Sequence, residues 1–261
     1  KDSCYALHQC LQHGHEVVCI ANLHPPPTAS SDEIDSFMYQ TVGHDLVEAY
    51  AECTGIPLIR GVIHGKPTKQ DLEYSATLED QNVRGGDHDE VEDLFELLVR
   101  AKERFPVIEA VSSGAILSNY QRLRVENVCS RLNLVSLAYL WQRDQTELLD
   151  EMIASGIHAL LVKTAALGLS PQKHLGKSLA EVRPWLLQIH DTYGCNVCGE
   201  GGEYETITFD SPFFLKRIVS DESEVIMHSD DAFAPVGYLK VRRFHLEDKQ
   251  NATPSRAVQP T

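Results

Sequence analysis

The sequence predicts an α/β protein: a parallel sheet covered by helices, followed by a second α/β unit that ends in antiparallel strands. Three observations predict it. Up to about residue 190, short apolar runs alternate with segments of helical periodicity, the pattern of a parallel sheet covered on both faces. After Glu205 come four β-prone runs with short spacers, at 206–209, 217–219, 224–227 and 238–241, which suits antiparallel or edge pairing. With 261 residues, 43% hydrophobic and 23% charged, the chain can build one large core or two modest ones.

Taken in order, Cys4 to Gln12 reads as a helix with Ser3 or Asp2 as its N-cap. Residues 16–22 are an apolar run suited to a buried parallel strand. A chain seldom opens on the cap of an interior helix, so a preceding strand and turn are expected to be missing. A Pro/Ser-rich loop covers 23–36. Val42, Leu46, Ala49, Tyr50 and Cys53 then fall at helical spacing before Gly55. Pro57 begins a strand, and residues 61–88 form a polar loop or insertion. Asp89 with Glu92 caps a helix whose apolar stripe is Val91, Leu94, Phe95 and Leu98. A strand at 107–111 runs into Ser112-Ser113-Gly114, and a helix covers about 116–132. A strand-like run at 134–140 leads into Trp141-Gln142-Arg143. Asp144 and Glu147 cap a helix that stops at Gly156. Residues 157–162 read as a further strand of the parallel pattern. The helix at 178–190 contains Pro184, which predicts a late start or a bend. From about Lys249 the tail is polar and expected to be disordered.

Charge narrows the function classes. The formal net charge is -15, from 23 basic and 38 acidic residues. That argues against a non-specific polyanion binder, so no nucleic-acid partner is expected. A phosphate-bearing small ligand stays open if backbone N–H groups and a metal ion offset the field. Seven cysteines without framework spacing suggest reduced thiols and a cytoplasmic protein. Cys195 and Cys198 form a C-x-x-C, but no second pair or His cluster completes a zinc site, which favours buried or inert thiols. No apolar run reaches spanning length and no signal peptide opens the chain, so no membrane partner is expected.

The stretch from Gly199 to Glu205 packs three carboxylates and three glycines into seven residues. Two readings stand for it: an acidic turn in water, or a site. If a strand begins at Glu203, then Glu203 and Glu205 share one face and Tyr204 the other. Carboxylates so crowded raise one another's pKa or bind a cation. Ligands of open parallel sheets gather beyond the strand C-termini. Four stretches are expected at such ends: Lys1-Asp2-Ser3, Ser112 to Gly114, Trp141 to Arg143, and Gly199 to Glu205. Arg122 and Glu126, four apart, pair on a helix surface for about 0.2–0.5 kcal/mol; alternatively Arg122 or Arg124 meets a phosphate or carboxylate. Composition favours the pairing. Trp141 is more often a core or interface residue than a ligand platform. Lys163, His174 and Lys177 are minor candidates, and His44 reads as structural.

Lys1-Asp2-Ser3-Cys4-Tyr5 resembles the end of the Ser-Gly-Gly-Lys-Asp-Ser pyrophosphate loop of ATP pyrophosphatases. Residues 38–44 (MYQTVGH), 113–118 (SGAILS), 120–129 (YQRLRVENVC), 139–143 (YLWQR) and 200–206 (EGGEYET) together resemble the diphthine–ammonia ligase family, in order and at similar spacing. The resemblance runs from Lys1 to about Asp248. The glutamate-glycine-glycine-glutamate stretch and the Tyr-Gln-Arg helix are its specific parts. The Ser-Gly-Gly of the loop is absent, which implies a fragment of a longer chain or a product of impaired activity.

The resemblance implies a Rossmann-like (HUP-type) parallel sheet over residues 1–115, a C-terminal α/β domain over 116–248 with the glutamate motif, and a tail at 249–261. It implies ATP-dependent amidation of the diphthine carboxylate on translation elongation factor 2 with ammonia, through an acyl-adenylate, giving AMP and pyrophosphate. Glu200, Glu203, Glu205, Arg122 and Arg124 are then the candidate catalytic residues. Lys1, Asp2, Ser3, Ser113, Gly114, Tyr120, Trp141, Gly201 and Gly202 are the candidates for holding ATP, with Mg²⁺ whose ligands are not assigned. Whether the glutamates accept a proton or hold the metal stays open. The competing readings are a tRNA-thiolating ATP pyrophosphatase, against which the acidic charge stands, and a nucleotide-binding module without catalysis.

Overall fold

The computed structural model describes residues 1–27, 36–71, 74, 88–231 and 233–250. The N-terminal half holds two parallel strand pairs. β1 (Ile20–His24) pairs with β2 (Leu58–Val62), and β3 (Ala110–Ser112) with β4 (Val135–Leu137). Helix α4 (Glu90–Arg104) lies on the first pair, where Leu97, Ala101 and Phe105 pack with Leu23 and Ile59. Its Val91 and Leu98 pack against Val125 and Val128 of α5 (Asn119–Arg131). Asp89 starts α4 by accepting from Val91 N, and Lys102 and Arg104 face the negative end of its dipole.

The second half is a four-stranded antiparallel sheet in the order β6-β5-β8-β7. Its strands are β5 (His158–Thr164), β6 (Tyr204–Asp210), β7 (Lys216–Ser229) and β8 (Val236–Asp248). Leu148, Leu149 and Met152 of α6 (Gln145–Ala154) and Val182, Leu186 and Ile189 of α8 (Leu179–Tyr193) join Ala159 and Leu161 of β5 in the largest core. Tyr5 of α1 (Asp2–Gln12), Leu46 of α2 (His44–Val47) and Tyr50 and Cys53 of α3 (Tyr50–Thr54) belong to that same core. At about 1.5–3 kcal/mol per buried large apolar side chain, such a core binds the N-terminal helices firmly to the C-terminal sheet.

The α/β class stands, and several elements differ from expectation. The residue before α1 is Lys1, with no side-chain cap bond, so Asp2 and Ser3 lie in the first turn instead. The first strand begins at Ile20, because it starts where Ile20 N bonds Pro57 O. The helix expected over 42–54 is two short helices, preceded by Gly43 at φ 77° and ended by Gly55 at φ 70°. The strand expected at 157–162 is antiparallel, since its apolar run fixes a buried strand but not its direction. The separate runs at 217–219 and 224–227 are one strand, β7. Its charged middle is tolerated because Asp221 pairs with His245 and Arg243 lies near Glu222. Helix α8 runs through Pro184 after a Ser178–Glu181 capping box, so it starts no later than Leu179. The tail from 251 lies outside the described residues, as do most of 61–88 beyond Asp71.

Candidate functional site

The start of α1 is the floor of the site. A Cβ built on Gly114 would stand 2.7 Å from Ser3 N and 2.8 Å from Asp2 C. Only glycine lets the 112–115 loop lie this close to a helix N-terminus. Lys1 is buried, and its ammonium bonds Asp2 Oδ2 at 2.8 Å and Cys198 O, 5.2 Å from the Tyr204 ring centroid. Burial opposes that charge, but Asp2 holds the ammonium above its usual range. Lys1 N also donates to Thr206 Oγ1 at 3.0 Å. Ser3 is exposed, and Asp2 Oδ1 is buried without a hydrogen-bond partner among the described residues.

The glutamate loop closes over that floor, and its three carboxylates point three ways. Glu200 Oε2 accepts from Leu117 N at 2.8 Å and Ile116 N at 3.2 Å, tying the loop to the start of α5. Burial pushes its carboxyl up, against the pull of the Leu117 amide. Glu203 is buried and turns back into its own loop, accepting from Asn196 N (2.6 Å), Asn196 Nδ2 (2.9 Å) and Gly201 N (2.7 Å). Glu205, on β6, pairs with Lys163 of β5 at 3.2 Å. Glu203 and Glu205 therefore do not form one cluster. Gly202 takes φ 80°, and a Cβ on Gly201 would stand 2.8 Å from Glu203 Oε1. Tyr204 OH donates to Val197 O at 2.7 Å and pins the loop's base.

Helix α5 begins two residues after Leu117. Arg122 pairs with Glu126 at 2.7 Å and its guanidinium lies 4.5 Å from the half-buried Trp141 ring, so surface pairing and stacking occur together. Arg124 is fully buried on the other side. It stacks 3.3 Å from the Tyr120 ring centroid and bonds Lys69 O, Asp71 O and Tyr120 O. Arg124 thus fixes the 69–71 segment. Ser113 N reaches Leu137 O at 3.4 Å, which keeps its loop beside β4.

Sequence reasoning missed the residues that hold these parts. Gln145 accepts from Cys198 N at 2.9 Å and donates to Asn196 Oδ1 at 3.0 Å. Gln142 sits at φ 56°, a conformation non-glycine residues rarely adopt, with its N–H on Ile116 O at 2.8 Å. Ile116 is thereby held through its N–H by Glu200 and through its C=O by Gln142. Gln40 Nε2 reaches Thr206 O at 3.0 Å, joining the 38–44 stretch to β6. The positive φ of Gln142 carries no sequence signal, because glycine would have been the expected residue. The Cys195 and Cys198 thiols are both raised by burial, Cys198 to about 12, and all seven cysteines are free. His174 accepts from Ser170 N at 2.8 Å and stacks on Trp185, while Lys177 contributes a backbone N–H beside it. Among the described residues, no group of three His, Cys, Asp or Glu side chains could hold a metal ion. No helix among them is long and apolar enough to cross a membrane.

A family model described as the diphthamide synthase N-terminal domain matches residues 1–84 and 76–136, and one for the C-terminal domain matches 144–245. The chain belongs to the diphthamide synthase family. It is 56% identical over 249 residues to a diphthine–ammonia ligase of Danio rerio, covering 95% of this chain and 94% of that one. Identity to the Homo sapiens diphthine–ammonia ligase is 53% over 255 residues, covering 97% and 92%. A diphthine–ammonia ligase of Schizosaccharomyces pombe is 52% identical over 93% of this chain, which spans 38% of that longer protein. The diphthamide synthase family is one of ligase enzymes, and the matched regions contain the α1 start, the 113–118 loop and the glutamate loop described above.

Proposed function

We propose that this chain amidates the diphthine carboxylate on translation elongation factor 2 with ammonia, using ATP, through an acyl-adenylate that releases pyrophosphate and then AMP. The observation that carries this reading is the convergence of three parts named by the family resemblance. Gly114 lies on the α1 start, Glu200 bonds the loop that follows it, and Lys1 bonds the glutamate loop.

The first-turn N–H groups of α1 and the exposed Ser3 hydroxyl would receive phosphate oxygens, as helix N-termini do for anions. The Lys1 ammonium would add charge at the same end. Mg²⁺ binds through one or two carboxylates plus substrate phosphates. Asp2, whose Oδ1 lacks a partner, would supply such a carboxylate. The metal would spread the charge of the phosphates. The diphthine carboxylate oxygen attacks the α-phosphorus as its bond to pyrophosphate breaks. Ammonia nitrogen then attacks the acyl carbon, the carbon–oxygen bond to AMP breaks, and one proton leaves the nitrogen. Glu200, its carboxyl raised by burial, is suited to take that proton.

Product analysis tests the reading. AMP and pyrophosphate are expected only when ATP, ammonia and diphthine-bearing elongation factor 2 are all present. AMP formed with tRNA instead would favour a thiolating enzyme, and ATP binding without turnover a non-catalytic module.

A further inference from the structure

One end of the four-stranded sheet gathers three connections. β6 begins at Tyr204 and β8 at Val236, and both run antiparallel to β5, which ends at Thr164. The glutamate loop, the segment after β5 and the β7–β8 turn therefore leave the sheet at one end. β8 lies two strands from β6, a separation of about 10 Å at ~4.8 Å per strand.

The surface joining them is continuous and partly apolar. Ala165 N donates to Glu203 O at 2.9 Å, and Leu167, two residues on, is 39% exposed. Pro171 packs on Gly237, where a Cβ would stand 2.8 Å from it. Gln172 Nε2 reaches Sδ of Met227, which is 38% exposed. Beyond lies Phe233, 77% exposed. Its exposure is built in, because Asp231 Oδ1 accepts from Phe233 N and Ala234 N at 2.9 Å each. The acids along the hairpin are matched across the strands: Glu224 with Arg242, Glu247 with Arg217 and Asp221 with His245. Asp230 and Asp231 have no such partner among the described residues.

We propose that this face, from Leu167 through Met227 to Phe233, docks the protein substrate of the ligase reaction. Phe233 enters an apolar pocket on that protein, and Asp230 meets basic side chains beside it. The inference rests on the proposed reaction, since continuity with the glutamate loop is what selects the protein substrate as occupant. An aromatic anchor at an interface centre commonly dominates binding, and a rim charge steers approach.

The test is the dissociation constant of the diphthine-bearing protein, by calorimetry without ATP, for the wild type, Phe233→Ser and Asp230→Lys. Phe233→Ser is expected to weaken binding about tenfold or more with unchanged Tm and ATP affinity. Asp230→Lys is expected to weaken binding most at low salt. Binding within twofold of wild type for Phe233→Ser overturns the proposal, as does an equal loss of ATP affinity. If the wild type binds the protein but releases no AMP, the ligase reading fails and the docking surface stands.

Discussion

Glu203 directs both carboxylate oxygens into its own loop, which makes it a positioning residue before anything else. Glu203→Gln would set an NH₂ group against backbone donors, at an expected cost of about 1–3 kcal/mol. A chain of this size then loses roughly 2–4 °C of Tm per kcal/mol, and amidation should fall with it. Wild-type Tm and turnover in that variant would show that the loop is held by other groups. Glu200 makes a different prediction. Burial raises its carboxyl above the ordinary 4.5, so the folded chain binds that proton more tightly than the unfolded chain. The resulting stabilisation is complete below the ordinary value and is lost as pH rises through the raised one. Glu200→Gln carries no such titration, so the Tm of the wild type should fall relative to the variant across that window. Parallel Tm–pH curves would refute the assignment. The trio of glutamates was legible from spacing, because few sequences set three carboxylates among three glycines. Their separate directions were not, since each depends on groups outside the motif, at 116–117, 196 and 163.

Two helix starts were legible: Asp89 and Asp144 each accept a backbone N–H at the start of a helix, as short polar side chains before an apolar stripe predict. Ser118 and Ser178, not singled out from the sequence, cap α5 and α8 in the same way, and α5 begins at Asn119, not near 116. What the start of α4 does beyond capping was not legible. Glu90 accepts from Ser36 Oγ (2.6 Å), Phe37 N (3.2 Å) and Met38 N (3.1 Å). Asp93 accepts from His64 N and Gly65 N, and Glu92 takes a two-bonded Arg131. The four acids among residues 89–93 are all buried against segments from elsewhere in the chain. Glu90→Ala removes the acceptor of Phe37 N and leaves Met38 N with Ser36 Oγ alone, which should cost about 1–2 kcal/mol. Hydrogen exchange at Phe37 and Met38 should accelerate by more than tenfold, and unchanged protection there would contradict the clamp. Strand direction was the other element-level failure, because an apolar run such as 157–162 suits a buried strand in either sense.

At the scale of the molecule, the alternation of strands and helices gave the α/β class and the change near Glu205 gave the antiparallel end. Neither could show that Tyr5, Tyr50 and Cys53 share a core with Leu161, Ile207 and Phe214. That shared core predicts a single thermal transition, coincident in near- and far-ultraviolet circular dichroism; two resolved transitions would mean that the halves unfold separately. The shared core also fixes the glutamate loop relative to the α1 start, the geometry on which the adenylation proposal rests. The most direct test is a crystal structure of this chain with a non-hydrolysable ATP analogue and Mg²⁺. The α-phosphate is expected on the first turn of α1, with Asp2 among the residues that would hold Mg²⁺ there. A nucleotide seated elsewhere, such as the shallow pocket between Gly43, His44 and Lys240, would contradict it.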